Sequence, residues 1–288
     1  MTNPAIAVAN VTRSFGSVTA LNDVTLSVAP NEICGLLGAN GAGKTTLMSL
    51  IAGHDQPSSG HVTVHGHTPF ESAAVARDMC FIRDNQRYPD DYTLKHALRI
   101  AQGFHPGWDT DRAHQLAEKF SLPSSTIIKK FSRGQLSALA ITLTLASRAS
   151  VTIFDEPYLG LDVSARHKFY ELLIEEYTNH PRTIVLSTHL VGEMQSIFDR
   201  IVVLNKGVVA LDVAADDATH LGYELLGPAA ELTTWAHGSP ALSMRTVGSL
   251  ASATFLGEPP QQLPERLDVR PLPLQDLVAA IGDSSQGA

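Results

Sequence analysis

The sequence predicts an α/β fold: a mixed or parallel sheet with helices on its faces, an antiparallel β subdomain before it, a helical subdomain inserted in it and a small α+β extension after it. Three observations predict this. A glycine-rich loop joins an apolar strand to a helix within residues 33–52. A second apolar run, Val151-Thr152-Ile153-Phe154, ends in two carboxylates, Asp155 and Glu156. Strand-sized, β-branched apolar runs then alternate with helical periods, the pattern of strands buried on both faces.

Taken in order, residues 5–30 alternate as strands do, with a turn near Phe15-Gly16-Ser17. Ile33-Cys34-Gly35-Leu36-Leu37 is a buried strand, and Thr46-Leu47-Met48-Ser49-Leu50-Ile51-Ala52 is helix-like. Between them, Gly38-Ala39-Asn40-Gly41-Ala42-Gly43-Lys44-Thr45 fits G-x-x-x-x-G-K-[ST] at every fixed position. Such a loop curls so that successive N–H groups face phosphate oxygens, helped by the helix N-terminus. Gly38, Asn40, Gly41, Ala42, Gly43 and Thr46 are the expected cradle. Lys44 is expected to reach the β- and γ-phosphates, and the Thr45 hydroxyl to ligate Mg²⁺. The motif defines a P-loop NTPase.

Residues 58–66 form a short strand closed by a glycine turn, and residues 93–148 turn helical, with Leu94, Leu98, Leu116, Leu139, Leu143 and Leu145 among the periodic apolar positions. Strand 151–154 follows. Asp162 is a plausible N-cap for a helix over 165–177. Strands 183–187 and 200–204 come next, the second turning at Lys206-Gly207. Beyond about 215 the periodicity weakens and Pro and Gly increase, until an amphipathic helix over 273–281. The expected division is a nucleotide-binding domain over 1–215, with its helical subdomain at 93–148, and an accessory region over 216–288.

The net charge of −8 excludes a general nucleic-acid binder, whose footprint is basic. No apolar run approaches the ~20 residues of a membrane span. Residues 1–5 lack the basic start and apolar core of a signal peptide, so a cytosolic protein is expected. Cys34 and Cys80 sit in apolar runs and read as buried, reduced thiols. The spacing of His61, His65 and His67 fits no zinc pattern.

Two acids at a buried strand end are costly without compensation. A metal ion and a phosphate cluster supply it. Asp155 is expected to face the Mg²⁺ of the loop, and Glu156, one residue further, to polarise the attacking water.

Further motifs resemble those of one family. Phe131-Ser132-Arg133-Gly134-Gln135 resembles the L-S-G-G-Q signature of ABC ATPases and stands one helix before Asp155-Glu156. Gly160-Leu161-Asp162 is similar to their D-loop, His189 to their switch histidine, and Phe15 to the aromatic residue that stacks on adenine. The resemblance covers roughly residues 5–210. It implies two nucleotide-binding domains meeting head to tail around two ATP molecules. Each site would join Lys44 and Thr45 of one copy to Ser132 and Gly134 of the other, with Gln135 and Asp162 alongside. Physically, the Ser132 hydroxyl, the Gly134 N–H and the helix dipole at that point can meet a γ-phosphate. Glu156, His189 and Lys44 become the catalytic set.

Three positions depart from the family pattern. Arg133 replaces a glycine. Tyr158-Leu159 stands where many relatives have Thr-Ser. The Q-loop glutamine aligns with Asp84, an alternative Mg²⁺ ligand, with Asn85 and Gln86 adjacent.

The resemblance implies an ATPase subunit working as a dimer, with a second copy of itself or a homologous ATPase subunit, on the cytoplasmic face of a separately encoded membrane permease, whose helices would dock near residues 83–95. The tail around Leu274-Gln275-Asp276-Leu277 resembles those of exporter subunits, which makes export the preferred direction; the alternative reading of the tail is a ligand-sensing regulatory domain of the kind appended to some importer ATPases. The alternative is a non-transport ABC ATPase of translation or DNA maintenance. Against it, such relatives usually carry two nucleotide domains or long coiled coils, and block 93–148 has no sustained heptads.

Overall fold

A computed structural model describes residues 3–83, 86–218, 220–238, 241–260 and 262–283. Strands β1 (Ile6–Phe15) and β2 (Val18–Val28) form an antiparallel ladder with register shifts between Val8 and Ser14. β3 (Ile33–Leu37) is buried at all five residues and leads through the glycine loop into α1 (Lys44–Ile51). β4 (Ser59–Val64) pairs antiparallel with β1 and completes a three-stranded sheet ordered β2-β1-β4. This is the expected N-terminal subdomain.

α2 (Ala73–Asp78), N-capped by the Ser72 hydroxyl, leads into β5 (Met79–Ile82). The helical block follows as α3 (Leu94–Phe104), α4 (Thr110–Lys119) and α5 (Arg133–Ser147). β6 (Val151–Asp155), α6 (Val163–Asn179), β7 (Thr183–Ser187), the short α7 (Val191–Met194) and β8 (Arg200–Asn205) then alternate. α6 starts two residues earlier than the sequence pattern predicts. Its Asp162 cap accepts from the Ala165 N–H at 2.8 Å, so Val163 and Ser164 already lie in the first turn.

β9 (Val208–Ala214) returns antiparallel to β8 across Lys206 (φ 47°) and Gly207 (φ 81°), the two left-handed residues of a tight hairpin. The central sheet runs β5-β6-β7-β3-β8-β9, parallel except for β9. Its register pairs Ser187 with both Asp155 and Leu36, so the ends of β6, β7 and β3 lie level at one edge. Helices cover one face with a core including Leu139, Phe154 and Phe169, while α1 and the three-stranded sheet cover the other around Leu47, Met48 and Val62.

The remaining elements are α8 (Ala215–Ala218), β10 (Gly222–Pro228), α9 (Ala229–Ala236), β11 (Ser243–Val247), β12 (Leu250–Leu256), β13 (Asp268–Pro271) and α10 (Leu274–Asp283). A four-stranded antiparallel sheet, β11-β12-β10-β13, packs its own core of Tyr223, Leu225, Leu232 and Phe255 under α9. α10 leaves this sheet: Leu274 and Leu277 join the main core beside Val191, Met194 and Phe198, and the Ile281 carbonyl accepts from the Asn205 amide at 2.9 Å. Cys34 and Cys80 are free thiols, and burial pushes both their pKa values up.

Candidate functional site

The turn out of β3 begins at Gly38, whose φ of 139° belongs to glycine, and a Cβ there would lie 2.2 Å from the Leu204 carbonyl oxygen. The loop packs so closely on the end of β8 that no side chain fits. It delivers Lys44 to the first position of α1, 6% exposed, where its ammonium donates to the Gly38 and Ala39 carbonyls at 2.7 and 3.1 Å. Burial pushes the Lys44 pKa down, while Glu156 and Asp155 oppose the shift.

Thr45 Oγ1 donates to Asp155 Oδ2 at 2.7 Å. The other carboxylate oxygen, Oδ1, accepts from Ser187 Oγ at 2.7 Å, and Ser187 Oγ in turn accepts from the Glu156 N–H at 3.0 Å. Adjacent strands thus fix Asp155 against the loop. Glu156 has a φ of 47°, a conformation that costs a non-glycine residue energy and that recurs at functional sites. The turn swings its side chain off the strand, and Oε2 sits 3.1 Å from His189 Nδ1. Ala20, Asn40, Gly41, Gly43, Lys44, Thr45, Thr46, Asp155, Glu156 and Leu159 line a cavity of about 300 Å³.

This donor set fits a magnesium nucleotide. Thr45 Oγ1 and Asp155 Oδ2 are hard oxygen donors, the kind Mg²⁺ takes through one or two protein ligands. The buried ammonium, bonded to its own loop's carbonyls, is a charge suited to countering phosphate.

The remaining sequence-predicted residues lie elsewhere. Ser132 N-caps α5 in a capping box: its Oγ accepts from the Gln135 N–H at 3.2 Å, and Gln135 Oε1 accepts from the Ser132 N–H at 2.9 Å. A Cβ on Gly134 would come within 2.6 Å of the Gly160 carbonyl oxygen, so the signature helix and the loop before Asp162 approach backbone to backbone. Ser132, Gly134, Gln135 and Asp162 do not line the cavity that holds Lys44. Phe15 is 49% exposed, with the Arg13 guanidinium 4.4 Å over its ring, and it too stands outside the cavity lining. Asp84 and Asn85 lie outside the described residues. Gln86 borders a second cavity of about 60 Å³ shared with Arg83, Arg133 and Glu156.

Sequence reasoning missed two supporting residues. Ser187, which holds Asp155, was visible only as the residue two before His189. Tyr158 is buried, and its hydroxyl contacts Thr188, the His189 backbone and the His189 ring. Nothing in the linear pattern points a phenol 30 residues along the chain.

The loop, the acidic strand end and the sheet order define the class: a P-loop nucleotide triphosphatase. Residues 21–159 match the family model described as ABC transporter. The chain is 28% identical over 181 residues to the ABC transporter ATP-binding protein YtrB of Bacillus subtilis, a match spanning 63% of this chain and 62% of YtrB. It is 32% identical over 230 residues to the spermidine/putrescine import ATP-binding protein PotA of Pseudomonas aeruginosa, spanning 73% of this chain and 59% of PotA. It therefore spans less than two thirds of the length of either relative. Among solved structures, an ATP-binding subunit of an ABC transporter superposes with a TM-score of 0.68 at 27% identity, covering 74% of this chain and 91% of that one. The cassette MJ0796, in a dimeric post-hydrolysis state bound to ADP and Pi, shares the fold with a TM-score of 0.65 at 21% identity, covering 73% of this chain and 98% of that one. Residues 21–159 thus match an ABC-transporter ATP-binding domain, and the chain is homologous to the ATP-binding proteins of several transporters.

Proposed function

We propose that this chain is an ATP-hydrolysing subunit that closes with a second copy of itself around two ATP molecules and drives transport through a separate membrane protein. The observation that carries the reading is the 2.7 Å link from Thr45 to Asp155 at the floor of a cavity lined also by Lys44 and Glu156. Lys44, Thr45, Asp155 and Glu156 thus share one pocket, and His189 stands beside it, 3.1 Å from Glu156. Lys44 leaves its loop carbonyls to bind phosphate oxygens. Thr45 Oγ1 and Asp155 Oδ2 would hold Mg²⁺, which would supply neutralisation of the phosphate charge. Glu156 accepts a proton from the attacking water, and His189 orients the γ-phosphate against it.

Ser132 and Gly134 stand outside that cavity, on a helix N-terminus where they can serve the site of a second copy. The dimeric state named for MJ0796 supports this arrangement. Among the described residues no helix is long and apolar enough to cross a membrane, and on this reading the membrane path belongs to a separate protein. A cavity of about 250 Å³ between the helical block and β5, bordered by Phe81, Gln86, Tyr88, Tyr92, Ile100 and Leu143, suits a partner's cytoplasmic helix. On this reading the protein works at the cytoplasmic face of the membrane, held by its permease, with residues 1–215 as the motor and 216–288 as an accessory unit. We assign export on the likeness of the tail to exporter subunits.

Phosphate release by the purified protein with ATP and Mg²⁺ tests the ATPase. Co-purification from gently solubilised membranes tests the partner: a polytopic membrane protein in stoichiometric amount is expected. Recovery with ribosomal or DNA-associated proteins instead would refute the transport reading. ATP-dependent accumulation of substrate inside inverted vesicles is expected for export; its depletion would reverse the assigned direction.

A further inference from the structure

Tyr158 is 3% exposed, and its hydroxyl contacts the His189 backbone, the Thr188 hydroxyl and the His189 ring, with the Leu190 backbone N–H also facing it. The His189 backbone N–H donates to it at 3.0 Å and the Thr188 hydroxyl at 2.9 Å, while Thr188 Oγ1 accepts from the Leu190 N–H at 2.9 Å. A phenol has one O–H to give and two lone pairs to receive with. Those two donors fill the lone pairs. The third contact, 3.1 Å to His189 Nδ1, is therefore the phenol O–H donating into an unprotonated ring nitrogen. The neutral imidazole must then carry its proton on Nε2.

The same Nδ1 lies 3.1 Å from Glu156 Oε2. A carboxylate can bond that nitrogen only if Nδ1 carries hydrogen, the tautomer opposite to the one Tyr158 enforces. One nitrogen cannot satisfy both neighbours, so the phenol and the carboxylate compete for it. Burial strengthens the phenol's hold: it pushes the Tyr158 pKa up to about 12, so the hydroxyl keeps its proton. The rings meet at 65° with centroids 5.5 Å apart, which limits how far the imidazole can turn away.

We propose that Tyr158 is a positioning residue that holds neutral His189 in the Nε2–H tautomer and so keeps its ring from pairing with Glu156. Two consequences follow for catalysis, and these rest on the ATPase reading above. His189 offers an N–H donor on its half-exposed side chain, suited to a phosphate oxygen, and Glu156 remains free to accept a proton from water. Without the phenol hydroxyl, Nδ1–H would pair with Oε2 and occupy the base.

The test is the ¹⁵N spectrum of the histidine rings of the full chain without nucleotide, the His189 signals being those lost in H189A. Wild type is expected to show the Nε2–H tautomer. Tyr158→Phe keeps the ring and is expected to move His189 to Nδ1–H. In the same variant kcat for ATP should fall about 10-fold, the loss of one well-placed hydrogen bond, with KM changed less than about 2-fold. A merely structural loss would not switch a tautomer. An Nδ1–H wild type overturns the proposal, as does a folded Tyr158→Phe with unchanged tautomer. A switched tautomer with unaltered kcat overturns the catalytic role. Should Tyr158→Phe fail to fold, the wild-type spectrum alone decides. A wild type that hydrolyses no ATP would refute the ATPase reading and leave the tautomer result standing.

Discussion

Glu156 and Gly134 show how single positions carry the site. Glu156 sits in a left-handed turn with its side chain 14% exposed, held at its backbone by Ser187. Glu156→Gln keeps the shape and removes the proposed base, so phosphate release should fall about 10²–10⁴-fold while nucleotide affinity survives. Equal turnover in variant and wild type would remove Glu156 from that role. Gly134 belongs to a different class of position. Gly134→Ala places a Cβ 2.6 Å from the Gly160 carbonyl, and the expected cost is about 1–3 kcal/mol, read as a lower denaturant midpoint. The glycine loop and the acid pair were legible because phosphate chemistry demands those residue types in that order. Ser187 and Tyr158 were not, because their duty comes from strand register and from loop packing, which no spacing rule encodes.

At the scale of elements, two kinds of strand are legible in the sequence: the alternating, half-buried ones within 5–30 and 58–66, and those buried on both faces. β3, β6 and β7 are wholly buried and announce themselves as apolar runs. β11 and β13 lie at the two edges of the accessory sheet with mostly exposed side chains, and β10 contains two glycines and a proline, so their alternation is lost in the sequence. The helical block was legible as a region, but not the joint that ties it to the sheet. Arg112 of α4 bonds Glu176 of α6 at 2.5 Å, and Arg182 pairs with the other oxygen of Glu176 at 3.6 Å. All three side chains are at most 10% exposed, and burial pushes the Arg182 pKa down against the opposing pull of Glu176. Glu176→Ala would leave two buried guanidinium groups without this carboxylate, and a loss of about 3–5 kcal/mol in unfolding free energy is expected.

At the scale of the whole molecule, the last helix packs the C-terminal region against the main core. α10 buries Leu274 and Leu277 against Val191, Met194 and Phe198, directly behind the turn that carries His189. Leu277→Asp should detach that helix at a cost of about 2–5 kcal/mol, measured by denaturant unfolding, and amide exchange should rise in 191–198. The central claim is that two copies close around ATP, each lending Ser132 and Gly134 to the other's Lys44. Light scattering of Glu156→Gln with and without ATP and Mg²⁺ tests it most directly. The expected result is a doubling of mass with ATP that is lost in Lys44→Ala and in Ser132→Arg. A mass that stays the same with ATP, in a protein shown to bind it, would contradict the account.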